Sequence, residues 1–470
     1  RPVPDSAFLC RFGPRGGWFG GCTFSRVILS AFSAARRSAF VAGVALPVVV
    51  GAFGAQAQSL GNSPYSRLGI GEPTAGAGLV RNQGMGGTGV AAPTSLYTNE
   101  INPALNWHTK YVTFDVGITG QLKDLKTSSQ EQRTGNATLG YFALALPIRP
   151  RWGAVIGLRP LSTTSFENRT EIGVANDPAG RVEVQYKGEG GLSQAYMSHG
   201  YRIVGGLSAG LEASYVFGSI ETTTSTRVLA ATNAGASSER SVLLDRRRYG
   251  DFLFRGALAY EQKLTSGATL TAGAVTQFGT DLSVMRRRGV ERRSVTAADE
   301  VLESLLLSDS VRSRSTLPAS YTVGFGLTNA TNTRSIAIEA SSQAWSQFRA
   351  DGRAQRSLGD AWRVAVGGEW TPDPASVESY FRRVTYRTGL YAGQTGWLDR
   401  DGTALRDAGV TWGFALPLGK VSTFEGATLQ TSFAYGQRGF NSDVAVRETY
   451  VRGQIGIAFS SIWFVKRRIE

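Results

Sequence analysis

Strict alternation of apolar and polar residues near the C-terminus narrows what this chain can fold into more than any other feature. Val451, Gly453, Ile455, Ile457, Phe459 and Trp463 fall on one face of an extended strand; Tyr450, Arg452, Gln454, Gly456, Ala458 and Ser460 fall on the other. Side chains alternate across a strand, so the segment has one apolar and one polar face. The pattern recurs from residue 109 to the C-terminus. Nothing in that region is long and apolar enough for a membrane helix, which needs about 20 residues. An all-β, closed antiparallel barrel, apolar toward lipid and polar toward its lumen, fits these observations.

Length alone, 470 residues, would allow two or three soluble domains, but closed barrels exceed the usual domain size. A hydrophobic content of 42% and a mean hydropathy of −0.12 suit a wall in which only alternate residues meet lipid. The 58 glycines fit a crowded lumen, and the 9 tryptophans and 16 tyrosines fit interfacial girdles.

An export signal is expected at the N-terminus. Arg36 and Arg37 form its basic region, Ala39 to Phe53 its short apolar core, and Ala55-Gln56-Ala57 a cleavage site, placing the cut after Ala57. Residues 1–30 lack an initiating Met and are rich in Gly, Arg and Phe; they read as an over-extended gene model or a fragment boundary. The expected division is 1–57 signal, 59–106 an N-terminal hatch or plug rich in Gly, Pro, Ser and Asn, and 107–470 the barrel.

The formal charge is +14; setting aside the six arginines and one aspartate of residues 1–57 leaves 44 basic and 35 acidic residues, net +9. Arginines cluster at Arg246, Arg247 and Arg248, and at Arg286, Arg287, Arg288, Arg292 and Arg293. Facing outward, they would either pair with lipopolysaccharide phosphates or stand solvated. Outer-membrane lipids are therefore expected partners, and nucleic acid is not. Cys10 and Cys22 both precede the signal core, so the mature chain would have no disulfide or cysteine metal site. With His108 and His199 as the only histidines, neither metal nor cofactor is expected.

Periodicity and turn residues place fourteen strands near 109–122, 136–147, 152–172, 181–202, 206–228, 238–262 and 267–290, then 318–329, 333–350, 360–371, 380–396, 403–418, 424–440 and 445–464. Every second connection is short, as around Pro147–Pro150, Val204–Gly206 and Asn329–Asn332, and the longest is expected around 285–317. Short periplasmic turns alternating with long external loops, and an even strand count, follow the outer-membrane rule. Tyr321, Val323, Phe325 and Leu327 should meet lipid, as should Leu211, Tyr215 and Phe217. Trp362 and Trp370 are eight residues apart; at ~3.3 Å per residue and ~40° tilt they span roughly 20 Å, near the height of the apolar band. Glu183, Glu212, Glu339, Arg363, Glu369, Arg383 and Arg387 should face the lumen, which must then be wet or filled by a polar plug.

Three motifs invite chemistry. Gly84-Met85-Gly86-Gly87-Thr88-Gly89 contains G-x-G-x-x-G, but no buried strand precedes it and Pro93 interrupts any following helix, so tight backbone packing is the better account. Ser198-His199 resembles part of a hydrolase site, yet no acidic partner can be placed by spacing, so no catalytic residue is assigned and both histidines are expected to be structural. In residues 298–311, Val301, Leu302, Leu305 and Leu306 share a helical face, either a landing surface for a hydrophobic ligand, a cap on the barrel or a face packed on a neighbouring loop.

Asn102-Pro103-Ala104, after a Gly-rich stretch and before the first long strand, resembles the FadL-type family of outer-membrane transporters for hydrophobic compounds. Ser63-Pro64-Tyr65-Ser66-Arg67-Leu68-Gly69-Ile70-Gly71, Gly84–Gly87 and Trp463-Phe464-Val465-Lys466-Arg467-Arg468 resemble a less characterised branch from gliding Gram-negative bacteria. The resemblance implies a fourteen-stranded barrel, a hatch at 59–106 and passive, non-enzymatic uptake of fatty-acid-like molecules. Hatch movement would then fall on Gly84, Met85, Gly86, Gly87, Gly89, Asn102, Pro103 and Ala104. A scaffold or shuttle related to type IX secretion components, partnering secretion or surface-assembly proteins, and a general porin are the rival expectations.

Overall fold

A strand in lipid cannot leave its backbone groups unpaired, so alternating strands must close on themselves. The computed structural model describes residues 63–67, 69–74, 78–127, 130–174, 177–229, 237–296, 299–419, 425–442 and 446–461. The expected signal, its cleavage after Ala57, residues 1–30 and the Trp463–Arg468 motif lie outside the described residues. The N-terminal segment holds a 3-10 turn (Pro64–Arg67), strand β1 (Glu72–Pro73), the one-turn helix α1 (Val80–Gly84) and a second 3-10 turn (Pro103–His108).

The wall begins with β2 (Val112–Lys126), β3 (Glu131–Arg149), β4 (Trp152–Val174), β5 (Asp177–Val204), β6 (Leu207–Leu229), β7 (Glu239–Lys263) and β8 (Thr269–Gln277). It continues with β9 (Thr280–Ser294), β10 (Val301–Leu317), β11 (Ser320–Thr328) and β12 (Arg334–Gln343). A small hairpin of β13 (Arg349–Ala350) and β14 (Arg353–Ala354) precedes β15 (Ala361–Trp370), helix α2 (Tyr380–Arg383) and β16 (Thr385–Leu398). Last come β17 (Ala404–Leu418), β18 (Glu425–Arg438) and β19 (Arg447–Ser461). With β9 counted as the outer continuation of β8, and β10 as that of β11, the described residues form fourteen antiparallel wall strands. Pairing of β19 with β2, from Ser461↔Val112 to Arg447↔Lys126, closes the cylinder.

The expected facing holds. Tyr321, Val323, Phe325 and Leu327 are 41–61% exposed, as are Leu211, Ile338, Trp362 and Trp370 at 45–69%, whereas inward Ser208, Ser214 and Glu212 are buried. Strand lengths are uneven: β4 to β7 run 23, 28, 23 and 25 residues, but β11, β12 and β15 run 9, 10 and 10. About 9–11 residues cross a membrane, so β4–β7 and the β9–β10 hairpin rise beyond it at the end opposite the short turns.

Several expectations are corrected. Residues 301–311 are not helical but part of β10, and the long loop expected around 285–317 is a hairpin. Register shifts at Val301/Glu303, Leu306/Ser308 and Ser308/Val311 explain the misreading. Each inserted residue flips the phase of alternation, so a bulged strand no longer reads as period two. The strand expected at 267–290 breaks at Phe278–Gly279, opposite Pro318, which has no N–H to donate to a ladder. The strand expected at 333–350 ends at Gln343, and that expected at 380–396 begins only at Thr385, so Arg383 belongs to α2.

Candidate functional site

The N-terminal segment lies against the inner face of the wall, and glycines on that face allow it. A Cβ at Gly210 would sit 2.3 Å from Ala104 N, one at Gly367 2.0 Å from Met85 O, and one at Gly389 2.3 Å from Gly86 N. Any side chain there would push the segment off the wall. Gly86 and Gly87 have φ of +71° and +86°, a left-handed turn that glycine adopts without strain. The sequence reading of Gly84–Gly89 as tight packing is thus matched, and α1 ends at Gly84 rather than beginning after Gly89.

Polar groups fix the segment in register. Thr411 Oγ1 accepts from Gly86 N (2.8 Å) and Arg363 Nη2 donates to Gly86 O (2.9 Å). Glu339 accepts from the backbone N–H groups of Gly89 and, at 2.6 Å, Val90. Asn102 caps its own turn by accepting from Ala104 N (2.9 Å) while its amide donates to Val90 O (2.6 Å). Met85 is fully buried with Ala92 and Ala337, and Pro103 begins the turn that Asn102 caps.

Three buried charge clusters join segment and wall. In the first, Arg81, 1% exposed, grips Glu369 at 2.6 and 3.1 Å and donates to Ala92 O at 3.1 Å; Arg387 donates to Glu369 at 3.3 Å and lies over the Tyr97 ring. The second centres on Glu212, which takes Arg159 at 2.6 Å and Arg255, while Arg159 reaches Glu100 at 3.5 Å and Arg255 donates to Glu100 O at 2.8 Å. In the third, Glu72 takes Lys123 and Arg438, each at 2.8 Å, and Arg438 also meets Glu448 at 3.0 Å and Asp407 at 3.2 Å. Burial alone would raise the Glu72 carboxyl, but the charges of Lys123 and Arg438 outweigh it and hold it well below the usual carboxylate range. Buried charges persist only when paired in this way.

The sequence placed Glu212, Glu339, Arg363, Glu369 and Arg387 inside, and all five meet the segment or one of these clusters. Arg383 does not; its guanidinium lies over the Tyr380 ring in α2. Glu183 stands on the outer extension of β5, in register with Arg227. Arg81, Glu100 and Glu72 were missed because they lie in an aperiodic stretch. Lys123 was missed although its inward register with Thr113 and Asp115 was readable. His108 bonds Glu261 at 2.7 Å, and His199 accepts from Trp152 Nε1 at 3.2 Å. Ser198 instead accepts from Asn106 at 2.9 Å, so Ser198 and His199 do not meet as a nucleophile and base would.

The wall has a seam. β3 and β4 pair only from Arg149↔Trp152 up to Phe142↔Leu158. Beyond that, among the described residues, β3 pairs with β2, and β4 pairs with β5 and, at Ser162 and Thr163, with β1. A cavity of about 330 Å³ lies behind this seam, touched by Asn136 and Thr138 on one lip and Pro160 and Thr163 on the other. Its interior presents the amides of Gln121, Gln194 and Gln454, the cations Lys123, Arg159 and Arg452, and the carboxylates of Glu72 and Glu100 that pair with the first two. Beneath the outer extension lies a filled apolar core including Tyr65, Ile70, Leu253, Leu282, Phe348 and Leu405.

Comparison with known proteins agrees with this architecture. A model of the BamG family matches residues 41–470. The crystal structure of a Pseudomonas aeruginosa FadL homologue superposes with a TM-score of 0.52 at 13% identity, covering 84% of this chain and 99% of that one. The Pseudomonas putida toluene transporter TodX gives 0.48 at 16% identity, covering 83% and 99%. The first likeness shows a FadL-like fold. No curated protein matches the chain in sequence.

Proposed function

The chain belongs to the BamG family, and from that premise and a barrel of FadL-like fold we propose an outer-membrane channel for passive uptake of hydrophobic small molecules. The observation that carries the reading is the cavity behind the β3–β4 seam, bounded on its inner side by the N-terminal segment. A fatty-acid-like amphiphile suits it: an acidic head would meet the amides and compete with Glu100 for Arg159, while its tail lies toward the seam and the membrane. Passage then needs the segment around Gly84–Gly89 and Asn102–Ala104 to shift. The exposed Leu302, Leu305 and Leu306 of β10 give arriving ligand an apolar surface outside the barrel. The mechanism asks for no covalent chemistry.

Liposomes holding the purified barrel, loaded externally with a fluorescent fatty acid, test this. Uptake should exceed that of protein-free liposomes and fall when Thr138→Trp and Thr163→Trp narrow the seam. Equal uptake with and without protein would sink the channel reading.

A second reading, a non-transporting scaffold or shuttle for secretion or surface-assembly proteins, draws support from the three charge clusters, which clamp the segment in the lumen. Co-purification of stoichiometric membrane partners together with protein-independent uptake would favour it.

A further inference from the structure

The arginines clustered in the sequence at 246–248 and 286–293, taken with Arg312 and Arg314 of β10, include two kinds. Arg286 pairs with Asp245 and, at 3.3 Å, with Asp351; Arg247 meets Asp245 at 3.3 Å; Arg293 meets Glu291 at 2.6 Å and Asp299 at 3.0 Å. The charges of these three are paired within the protein. Arg248, Arg312 and Arg314 are different: all three are exposed, and among the described residues none has a carboxylate within ion-pair distance. Asp251 senses the charge of Arg314, but its oxygens already accept from Ser283 and from Phe252 N.

Register brings these three onto one outward face. Arg248 of β7 and Arg312 of β10 both pair with Met285 of the intervening β9, and Arg314 pairs with Ser283 one step along. Two strand spacings separate the first pair by about 10 Å, and residues two apart on one strand stand about 7 Å apart. A groove of about 650 Å³ lies here, lined on this face also by Gly250, Ser283 and the exposed Met285, which stands between Arg248 and Arg312. Like charges so placed repel unless an anion joins them.

A second, independent observation says what kind of anion. Directly below Arg248 on the same face of β7, Phe252 and Phe254 are 54% and 51% exposed, and Tyr215 and Phe217 of β6 join them. Tyr215 meets Phe252 edge-on at 5.2 Å, and Phe252 stacks with Phe254 at 6.4 Å. Exposed Tyr and Trp mark the level where headgroups meet acyl chains; Tyr215 stands at that level with the phenylalanines beside it, so the arginines stand at headgroup height with apolar surface beneath them.

We propose that Arg248, Arg312 and Arg314 form a binding site for a phosphorylated lipid of the outer leaflet, its phosphate in the arginine groove and its acyl chains along Phe252, Phe254, Tyr215 and Phe217. Guanidinium groups match phosphate with paired, charge-assisted hydrogen bonds. The site needs the barrel in a membrane but does not depend on uptake, so failure of the channel reading leaves it untouched.

The test uses the full chain in phosphatidylcholine nanodiscs doped with lipid A, read by native mass spectrometry, with heat-modifiable electrophoretic mobility as the check on folding. Wild type should retain lipid A, and Arg312→Gln/Arg314→Gln should retain it at least about tenfold less. Lipid A stripped of its phosphates should fail to bind wild type, an arm that needs no variant. Equal retention by the double variant, equal binding of the dephosphorylated lipid, or displacement of lipid A by an equal concentration of inorganic phosphate would each overturn the proposal, the last by making it a site for free anions.

Discussion

Removing Arg81 should release the N-terminal segment from the lumen, and the size of the effect follows from what Arg81 leaves behind. Its guanidinium is 1% exposed and holds Glu369 with two hydrogen bonds and Ala92 O with a third. Breaking a buried ion pair costs about 3–5 kcal/mol, mostly by stranding the partner charge. Glu369 is 18% exposed and keeps Arg387 at 3.3 Å, so the lower end, about 3 kcal/mol, applies to Arg81→Ala. At about 1.4 kcal/mol per decade, the displaced population rises roughly 100-fold. Thr88→Cys reports it directly. Thr88 is fully buried and small, and the sequence has no other cysteine beyond Cys22. Maleimide labelling of this thiol should accelerate by about that factor in Arg81→Ala, and in the same direction in Glu369→Gln, which strands two cations. Labelling in both variants at the parent rate would refute the claim that this cluster holds the segment in place.

Other outcomes follow from the same geometry. Glu72 has a depressed carboxyl, so its contribution is complete above the ordinary carboxylate pKa of about 4.3 and is lost as pH falls through the lower folded value. Tyr65, stacked on Trp397 at 5.3 Å, gives the local signal: tryptophan emission should change only in strong acid, and Glu72→Gln should lack that transition. Gly86→Ala and Gly352→Ala make a matched pair, since φ is +71° and +75° but an added Cβ meets Leu390 O at 2.9 Å only at Gly86. Both should lose about 1 kcal/mol to backbone strain, and thermal denaturation should show a larger loss for Gly86→Ala alone. Leu305→Ser and Leu306→Ser, at residues 61% and 46% exposed, should shift stability by no more than about 0.5 kcal/mol; a loss typical of core positions in the same melts would mean this hairpin is covered.

How much of this was legible depended on whether burial imposes a period. Wall strands such as β11 and β19 read cleanly, because lipid on one side and lumen on the other force strict alternation. The same register exposed Glu212, Glu339, Glu369, Arg363 and Arg387 as inward charges. Arg81, Glu72 and Glu100, the charges that the segment brings to the three clusters, were hidden, since a segment that packs inside a barrel by turns has no period to read. β10 was misread for a related reason: three register shifts scrambled its phase, and its apolar residues lie on a strand exposed on both faces. The seam between β3 and β4 was not legible because each strand carries a register shift there, at Gly140 in β3 and Leu161 in β4, which breaks its phase; only pairing reveals that they part.

The distribution of charge between wall and segment bears on whether the segment can move at all. In the first cluster the wall supplies Glu369 and Arg387, which balance each other, and Arg81 comes from the segment. In the third the wall supplies Lys123, Arg438, Glu448 and Asp407, again balanced, and Glu72 comes from the segment. Only the second leaves the wall with an excess, one positive charge from Arg159 and Arg255 against Glu212, which Glu100 neutralises. Displacing the segment therefore strips few wall charges of a counter-ion, while Arg81, Glu72 and Glu100 regain water. The segment is held by local ion pairs and hydrogen bonds rather than by an excess of net charge, which is compatible with the movement that the proposed uptake needs. An acidic ligand arriving behind the β3–β4 seam would meet Arg159 in that second cluster and offset the one positive charge Glu100 gives up. Ligand binding and release of the segment would then favour each other, so the Thr88→Cys thiol should label faster in the presence of a long-chain fatty acid than of its uncharged alcohol.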